Sequence, residues 1–79
     1  MPQWTVYSRA DCSLCERMLG ELAELLGPQA AAAVEVVDID GQPELEHRYG
    51  TRIPVLTADG EFVCAYRLDA DRVRAHLSG

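Results

Sequence analysis

Lysine is absent from this chain of 79 residues, and all seven of its basic residues are arginines. Thirteen acidic residues outnumber them, so the formal charge is −6. No arginine stripe interrupts that balance, so the phosphate attraction that dominates nucleic-acid binding has little to act through. A polybasic membrane anchor is excluded on the same ground. No apolar run approaches the roughly 20 residues of a membrane span. Met1 to Tyr7 lacks the charged and apolar regions of a secretory signal. There is no Gly-rich phosphate loop, no internal repeat and no room for a second domain, so a single domain over residues 1–79 is expected. Nothing in the sequence demands more than a monomer, and a cytoplasmic location is the simplest expectation.

Cysteine is scarce as well, with Cys12, Cys15 and Cys64 the only three. An odd number this small makes no disulfide scaffold. A bridge from Cys12 to Cys15 would close a very short loop and constrain the unfolded chain little. Structural stapling is therefore a poor reason for the pair. In a reducing compartment, such spacing points to redox or metal chemistry.

What is present is a regular alternation of strands and helices. Trp4 to Tyr7 is aromatic and β-branched and reads as a strand. From Cys12, apolar residues recur at helical spacing: Leu14, Met18, Leu19, Leu22, Leu25 and Leu26. Gly27-Pro28 stops that helix, and Ala30 to Ala33 is either one more turn or a linker. Val34 to Ile39 is a second strand. Pro43 opens a short helix through Tyr49, with Gly50 as its C-cap. Val55 to Thr57 and Glu61 to Tyr66 form a hairpin around Asp59-Gly60. Asp69 caps a last helix carrying Val73 and Leu77 on one face. The order β-α-β-α-β-β-α predicts an α/β fold with a four-stranded mixed sheet flanked by helices on both faces.

The chemistry falls at the first strand-to-helix junction. Cys12-Ser13-Leu14-Cys15 is a C-x-x-C that follows a strand and opens a helix. Helix N-termini offer unpaired N–H groups and positive potential, and cysteine pKa values in such settings fall from about 8.5 to roughly 3.5–7.5. Cys12 lies at the helix mouth, while Cys15 lies about one turn inward. That asymmetry suits Cys12 to attack a disulfide and Cys15 to resolve the mixed disulfide. Arg9 would favour the thiolate and Asp11 oppose it, although Asp11 also suits a helix cap.

Tyr7-Ser8-Arg9-Ala10-Asp11-Cys12-Ser13-Leu14-Cys15 resembles the glutaredoxin pattern, in which a strand leads through Ser and a basic residue to the cysteine pair. Tyr49-Gly50-Thr51-Arg52-Ile53-Pro54-Val55-Leu56 resembles the thioredoxin-superfamily segment that carries a cis-proline. The element order resembles the minimal thioredoxin/glutaredoxin-like fold across nearly the whole chain, with small bacterial glutaredoxin-like proteins the nearest match. The resemblance implies a thiol–disulfide oxidoreductase acting on protein disulfides or glutathione mixed disulfides. It implies a cis Ile53–Pro54 bond packed beside Cys12, with the Ile53 backbone pairing with the substrate. Arg9, Arg52 and Asp69 would bind substrate. No bound cofactor or metal is implied; glutathione is a candidate co-substrate, and the electron donor is unnamed. The chain departs from the family in carrying Cys64-Ala65 where glutaredoxins have Gly-Gly, and Ser13-Leu14 in place of Pro-Tyr.

Other readings stand beside this one. Cys12 and Cys15 could hold a metal or iron–sulfur cluster with ligands from a partner, or the fold could serve as a redox-inert adaptor. Cys64 reads as a packed core residue, and His47 and His76 read as solvent-facing. Tyr7 reads as strand packing at the edge of the site. Glu44, Glu46, Asp69 and Asp71 read as first-turn helix carboxylates.

Overall fold

The computed structural model describes residues 2–78. Its elements run β1 (Trp4–Ser8), α1 (Ser13–Leu26), α2 (Pro28–Ala32), β2 (Glu35–Asp38), α3 (Pro43–Tyr49), β3 (Val55–Ala58), β4 (Glu61–Ala65) and α4 (Ala70–Ser78). The sheet has the order β2-β1-β3-β4. β1 pairs with β2 in parallel and with β3 antiparallel, and β4 returns antiparallel on β3. This is the expected mixed sheet. The ambiguous alanine stretch resolves as part of α2, a separate short helix. Gly27, at φ 84, breaks α1, and Pro28 starts α2 at a position where its missing N–H is harmless.

Alternation along β1 assigns the two faces. Trp4 and Val6 join Met18, Leu22, Leu56, Ala58, Val63, Cys64 and Val73 in the main core, so α1 and α4 cover that face. Tyr7 and its cross-strand partner Val55 point the other way. There Tyr7 stacks on Tyr49 of α3, with ring centroids 4.5 Å apart. Helices therefore flank both faces.

Cys64 lies in the core as expected, together with Val63, its neighbour in the same strand. A register shift sets Leu56 opposite Cys64 but Thr57 opposite Phe62. This bulge turns the extra residue inward. On α4, Val73 is fully buried, whereas Leu77 is 40 % exposed. The buried face continues instead to His76, three residues on, whose ring meets Trp4 edge-on at 5.9 Å. His76 is thus not solvent-facing, whereas His47 is exposed. Leu14 also leaves the expected apolar stripe, at 40 % exposure.

The turns follow the residues. Asp59 and Gly60 both adopt positive φ, 51° and 83°, as a two-residue hairpin of the primed type requires. Gly50 sits at the C-cap of α3 in right-handed conformation, so it is not there for a left-handed turn. A side chain would collide with the Glu46 carbonyl and come within 3.4 Å of the Arg9 guanidinium.

Asp69 caps α4, its Oδ1 accepting the Arg72 N–H at 3.2 Å. Asp69→Ala is expected to destabilise the protein by about 1 kcal/mol, and Asp69→Asn by much less, because asparagine caps nearly as well. Urea unfolding checks this. Equal losses for the two variants would show that the carboxylate charge, and not the cap, is what matters.

Candidate active site

β1 delivers the chain to the site. After Ser8 it turns through Asp11, which takes φ 56, a left-handed conformation that short polar residues tolerate. The helix starts one residue later than an Asp11 cap would require, so Asp11 is not the helix cap. Cys12 is, with extended backbone (φ −109, ψ 106). Its Sγ accepts the Cys15 N–H at 3.2 Å, and its carbonyl accepts the Glu16 N–H at 3.1 Å. A sulfur atom thus occupies the place of a capping oxygen and faces an unpaired amide of the first helical turn.

Cys12 and Cys15 are joined as a disulfide, their Cα atoms 5.2 Å apart. Their exposures differ as expected. Cys12 is half-buried, whereas Cys15 is only 3 % exposed on the inner face of α1. A reagent from solvent therefore meets Cys12 first.

The second half of the site is the loop before β3. The Ile53–Pro54 bond is cis. Pro54 is buried and Ile53 half-buried. The strand register places this loop. Tyr7 pairs with Val55, which pairs with Ala65. One residue beyond that row stand Ser8, Pro54 and Tyr66, and the Tyr66 N–H donates to the Pro54 carbonyl at 2.9 Å. The 51–54 loop and the Cys12 turn therefore leave the sheet at the same end.

Arg9 and Arg52 are engaged with the protein itself. Arg9 Nε pairs with Asp40 Oδ1 at 2.8 Å, and its Nη1 donates to the Gly50 carbonyl at 3.2 Å. It ties the Cys12 turn to the loop after β2 and to the end of α3. Arg52 donates to the Arg48 carbonyl at 3.0 Å and lies over the Phe62 ring at 6.0 Å. Asp69 is occupied as a cap and pairs with Arg72 at 3.4 Å. Glu44, Glu46 and Asp71 are exposed in first turns, as expected.

Cys64 is a core thiol, 6 % exposed. Burial pushes its pKa up, against the Asp69 backbone N–H, which favours the thiolate. Burial likewise pushes the Tyr7 hydroxyl up, with Tyr49 and Glu35 adding to the effect and Arg48 opposing it. Among the described residues, no three His, Cys, Asp or Glu side chains converge as metal ligands.

Tyr66 is the residue that sequence reasoning missed. It is 51 % exposed, adopts φ 69, and donates its hydroxyl to the Thr51 carbonyl at 3.1 Å. It reads as the last residue of a strand, and nothing in its neighbours announces a positive φ.

The arrangement is that of a thioredoxin fold with a cysteine pair at the first helix. Thioredoxin 1 from Thermosipho africanus superposes with a TM-score of 0.59 over 96 % of this chain and 94 % of that one, at 13 % identity, a likeness of fold alone. The profile of the glutaredoxin-like domain (DUF836) matches residues 3–78, and the chain belongs to that family. The solution structure of Ne2328 from Nitrosomonas europaea is similar at a TM-score of 0.81 and 36 % identity, covering 95 % of this chain and 89 % of that one. The X-ray structure of XcR50 from X. campestris gives 0.76 and 36 %, covering 95 % of both chains. The Mycobacterium tuberculosis protein Rv0508, described only as uncharacterized, is 32 % identical over 98 % of this chain and 84 % of its own length.

Two outcomes follow for the thiols. In reduced native protein, iodoacetamide should label Cys12 alone at a useful rate, with Cys15 and Cys64, 3 % and 6 % exposed, protected until unfolding, as intact mass would read. A fast-labelling Cys64 would contradict its burial. Because folding raises the Cys64 pKa, the native state holds the proton that the unfolded state loses above about pH 8.5. Stability should be complete below that value and fall as pH rises toward the native pKa. Cys64→Ala should flatten the decline in urea midpoint as pH rises above about 8.5, where the unfolded thiol ionises first.

Proposed function

We propose that this protein is a dithiol thiol–disulfide oxidoreductase with Cys12 as nucleophile and Cys15 as resolving thiol. The observation that carries the reading is the asymmetry of the pair. Cys12 is reachable and caps α1 with its sulfur, while Cys15 is 3 % exposed directly behind it. A helix N-terminus favours negative charge at that sulfur and so favours the attacking form.

The exchange balances as two substitutions at sulfur. The Cys12 thiolate attacks one sulfur of a substrate disulfide. The Cys12–substrate bond forms, the substrate S–S bond breaks, and the departing thiolate takes a proton from water. Cys15, having lost its proton, attacks Cys12 Sγ. The Cys12–Cys15 bond forms and the second substrate sulfur leaves. Substrate gains two electrons and the pair loses them. A dithiol, or two equivalents of a monothiol such as glutathione, restores the reduced pair.

The substrates proposed are protein disulfides or glutathione mixed disulfides, handled without a bound cofactor or metal by a monomer in the cytoplasm. No described helix is long and apolar enough to cross a membrane. Ile53 offers its backbone to an extended substrate, and the buried Pro54 lies one residue beyond the Tyr7–Val55 pair.

A redox titration in glutathione buffers tests the reading, with free thiols trapped by alkylation and read by intact mass. A reversible intramolecular disulfide is expected, with a potential of roughly −180 to −270 mV. Cys12→Ser should abolish disulfide reduction. Cys15→Ser should retain attack but accumulate the mixed disulfide. Two thiols that remain alkylatable in every buffer would defeat the proposal.

A further inference from the structure

We propose that Tyr66 is a specificity-determining residue, and that it selects disulfides in extended polypeptide segments with an apolar side chain beside the attacked cysteine. The inference rests on Cys12 and Cys15 being the reacting pair.

The first observation is backbone strain without local need. Three non-glycine residues have positive φ among the described residues: Asp11, Asp59 and Tyr66. Asp59 belongs to a hairpin turn that demands it, and aspartate tolerates the conformation at both positions. A bulky aromatic does not, and is a genuine outlier there. Glycine would make the same bend at lower cost.

The second observation is that burial does not compensate. The ring remains 51 % exposed. It is nonetheless fixed at both ends: the hydroxyl donates to the Thr51 carbonyl at 3.1 Å, and the backbone N–H to the Pro54 carbonyl at 2.9 Å. A strained, immobilised and exposed aromatic is better suited to contacting a ligand than to packing.

The third is location. Tyr66, Pro54 and Ser8 are the residues just past one row of the sheet, at the end from which the Cys12 turn emerges. Leu14, between the two cysteines, is 40 % exposed. Apolar surface is thus offered from both α1 and the end of β4.

Arg9 is already neutralised by Asp40 and holds the Gly50 carbonyl. Arg52 keeps its charge, with one N–H on the Arg48 carbonyl and the Phe62 ring beside it, so the glutathione mixed disulfide is the comparison probe.

The test is a single-turnover reaction of reduced protein, quenched by alkylation and read as the Cys12–Cys15 disulfide. Three probes are used: a disulfide peptide with leucine beside the attacked cysteine, the same peptide with serine there, and the glutathione mixed disulfide of 2-mercaptoethanol. Wild type should react fastest with the leucine peptide, by roughly tenfold over the serine peptide, the low end of what one apolar contact discriminates. Tyr66→Ala should erase that preference while leaving the glutathione probe nearly unchanged. Tyr66→Phe should keep the preference. Tyr66→Gly should erase it with no fall in urea midpoint, which separates the effect from misfolding. Equal losses on all three probes, an unchanged preference in Tyr66→Ala, or a wild type fastest on the glutathione probe would each overturn the proposal. A wild type that reduces none of the probes would instead defeat the redox reading beneath it.

Discussion

Strand β1 is the constraint on which the rest depends. It is hydrogen-bonded on both sides, to β2 and β3, and its Trp4, Thr5, Val6 and Ser8 are all buried. A strand held this way has no freedom to shift register without exposing Trp4 and Val6. The end of β1 therefore fixes where the chain must turn, and Cys12 follows four residues after Ser8. The same ladder fixes the opposing half of the site, since the pairing of Tyr7 with Val55 dictates where Pro54 lies. The two chemically relevant segments lie about forty residues apart in sequence and meet through one row of a sheet.

Legibility in the sequence follows the range of the forces involved. Local signals could be read directly. Asp59-Gly60 demands a primed turn, Pro43 a helix start, and Gly27-Pro28 a helix break, and each is found in place. The cysteine pair is legible from its spacing and its place at the strand-to-helix junction, whereas the cis Ile53–Pro54 bond is implied only by resemblance, since intrinsic preference strongly favours trans. What resisted reading was whatever depends on a neighbour remote in sequence. Leu77 and His76 exchange roles because of how α4 crosses Trp4. Val63 and Cys64 are both buried because of a bulge against β3. Arg9 finds Asp40 and Gly50 only once two loops have been brought together. No period or propensity encodes these contacts.

Arg9 shows how one side chain can hold the cysteine turn in place from within the protein. Its pair with Asp40 is partly exposed, so it adds at most about 1 kcal/mol to stability. Its geometric effect is larger than its energy suggests. One side chain spans the turn before Cys12, the loop after β2 and the end of α3, and the absent side chain at Gly50 makes room for it. A surface ion pair that is weak as a stabiliser can thus still set the position of the turn before Cys12.

Two of the three positive-φ residues other than glycine among those described lie at the end of the sheet that leads to the cysteine pair. Of the three such residues among those described, Asp59 is accounted for by its hairpin, and Asp11 and Tyr66 flank the site from opposite sides of the sheet end. The Tyr66 conformation costs on the order of 1–3 kcal/mol, a substantial share of the roughly 4–12 kcal/mol expected for a domain of this size, whereas aspartate takes the same region more readily. A small core can sustain that cost only if the rest of the chain is locally consistent, and here it is: caps, turns and strand pairing all follow the residues. Among the described residues, the sharpest backbone conflict between local preference and final structure is at Tyr66. Asp11 directs the chain so that Cys12, and not its neighbour, caps the helix with sulfur. Tyr66 holds an aromatic ring at the mouth of the opposing loop. Asp11 lies in the turn that leads to Cys12, and Tyr66 is tied to the 51–54 loop that leaves the sheet at the same end.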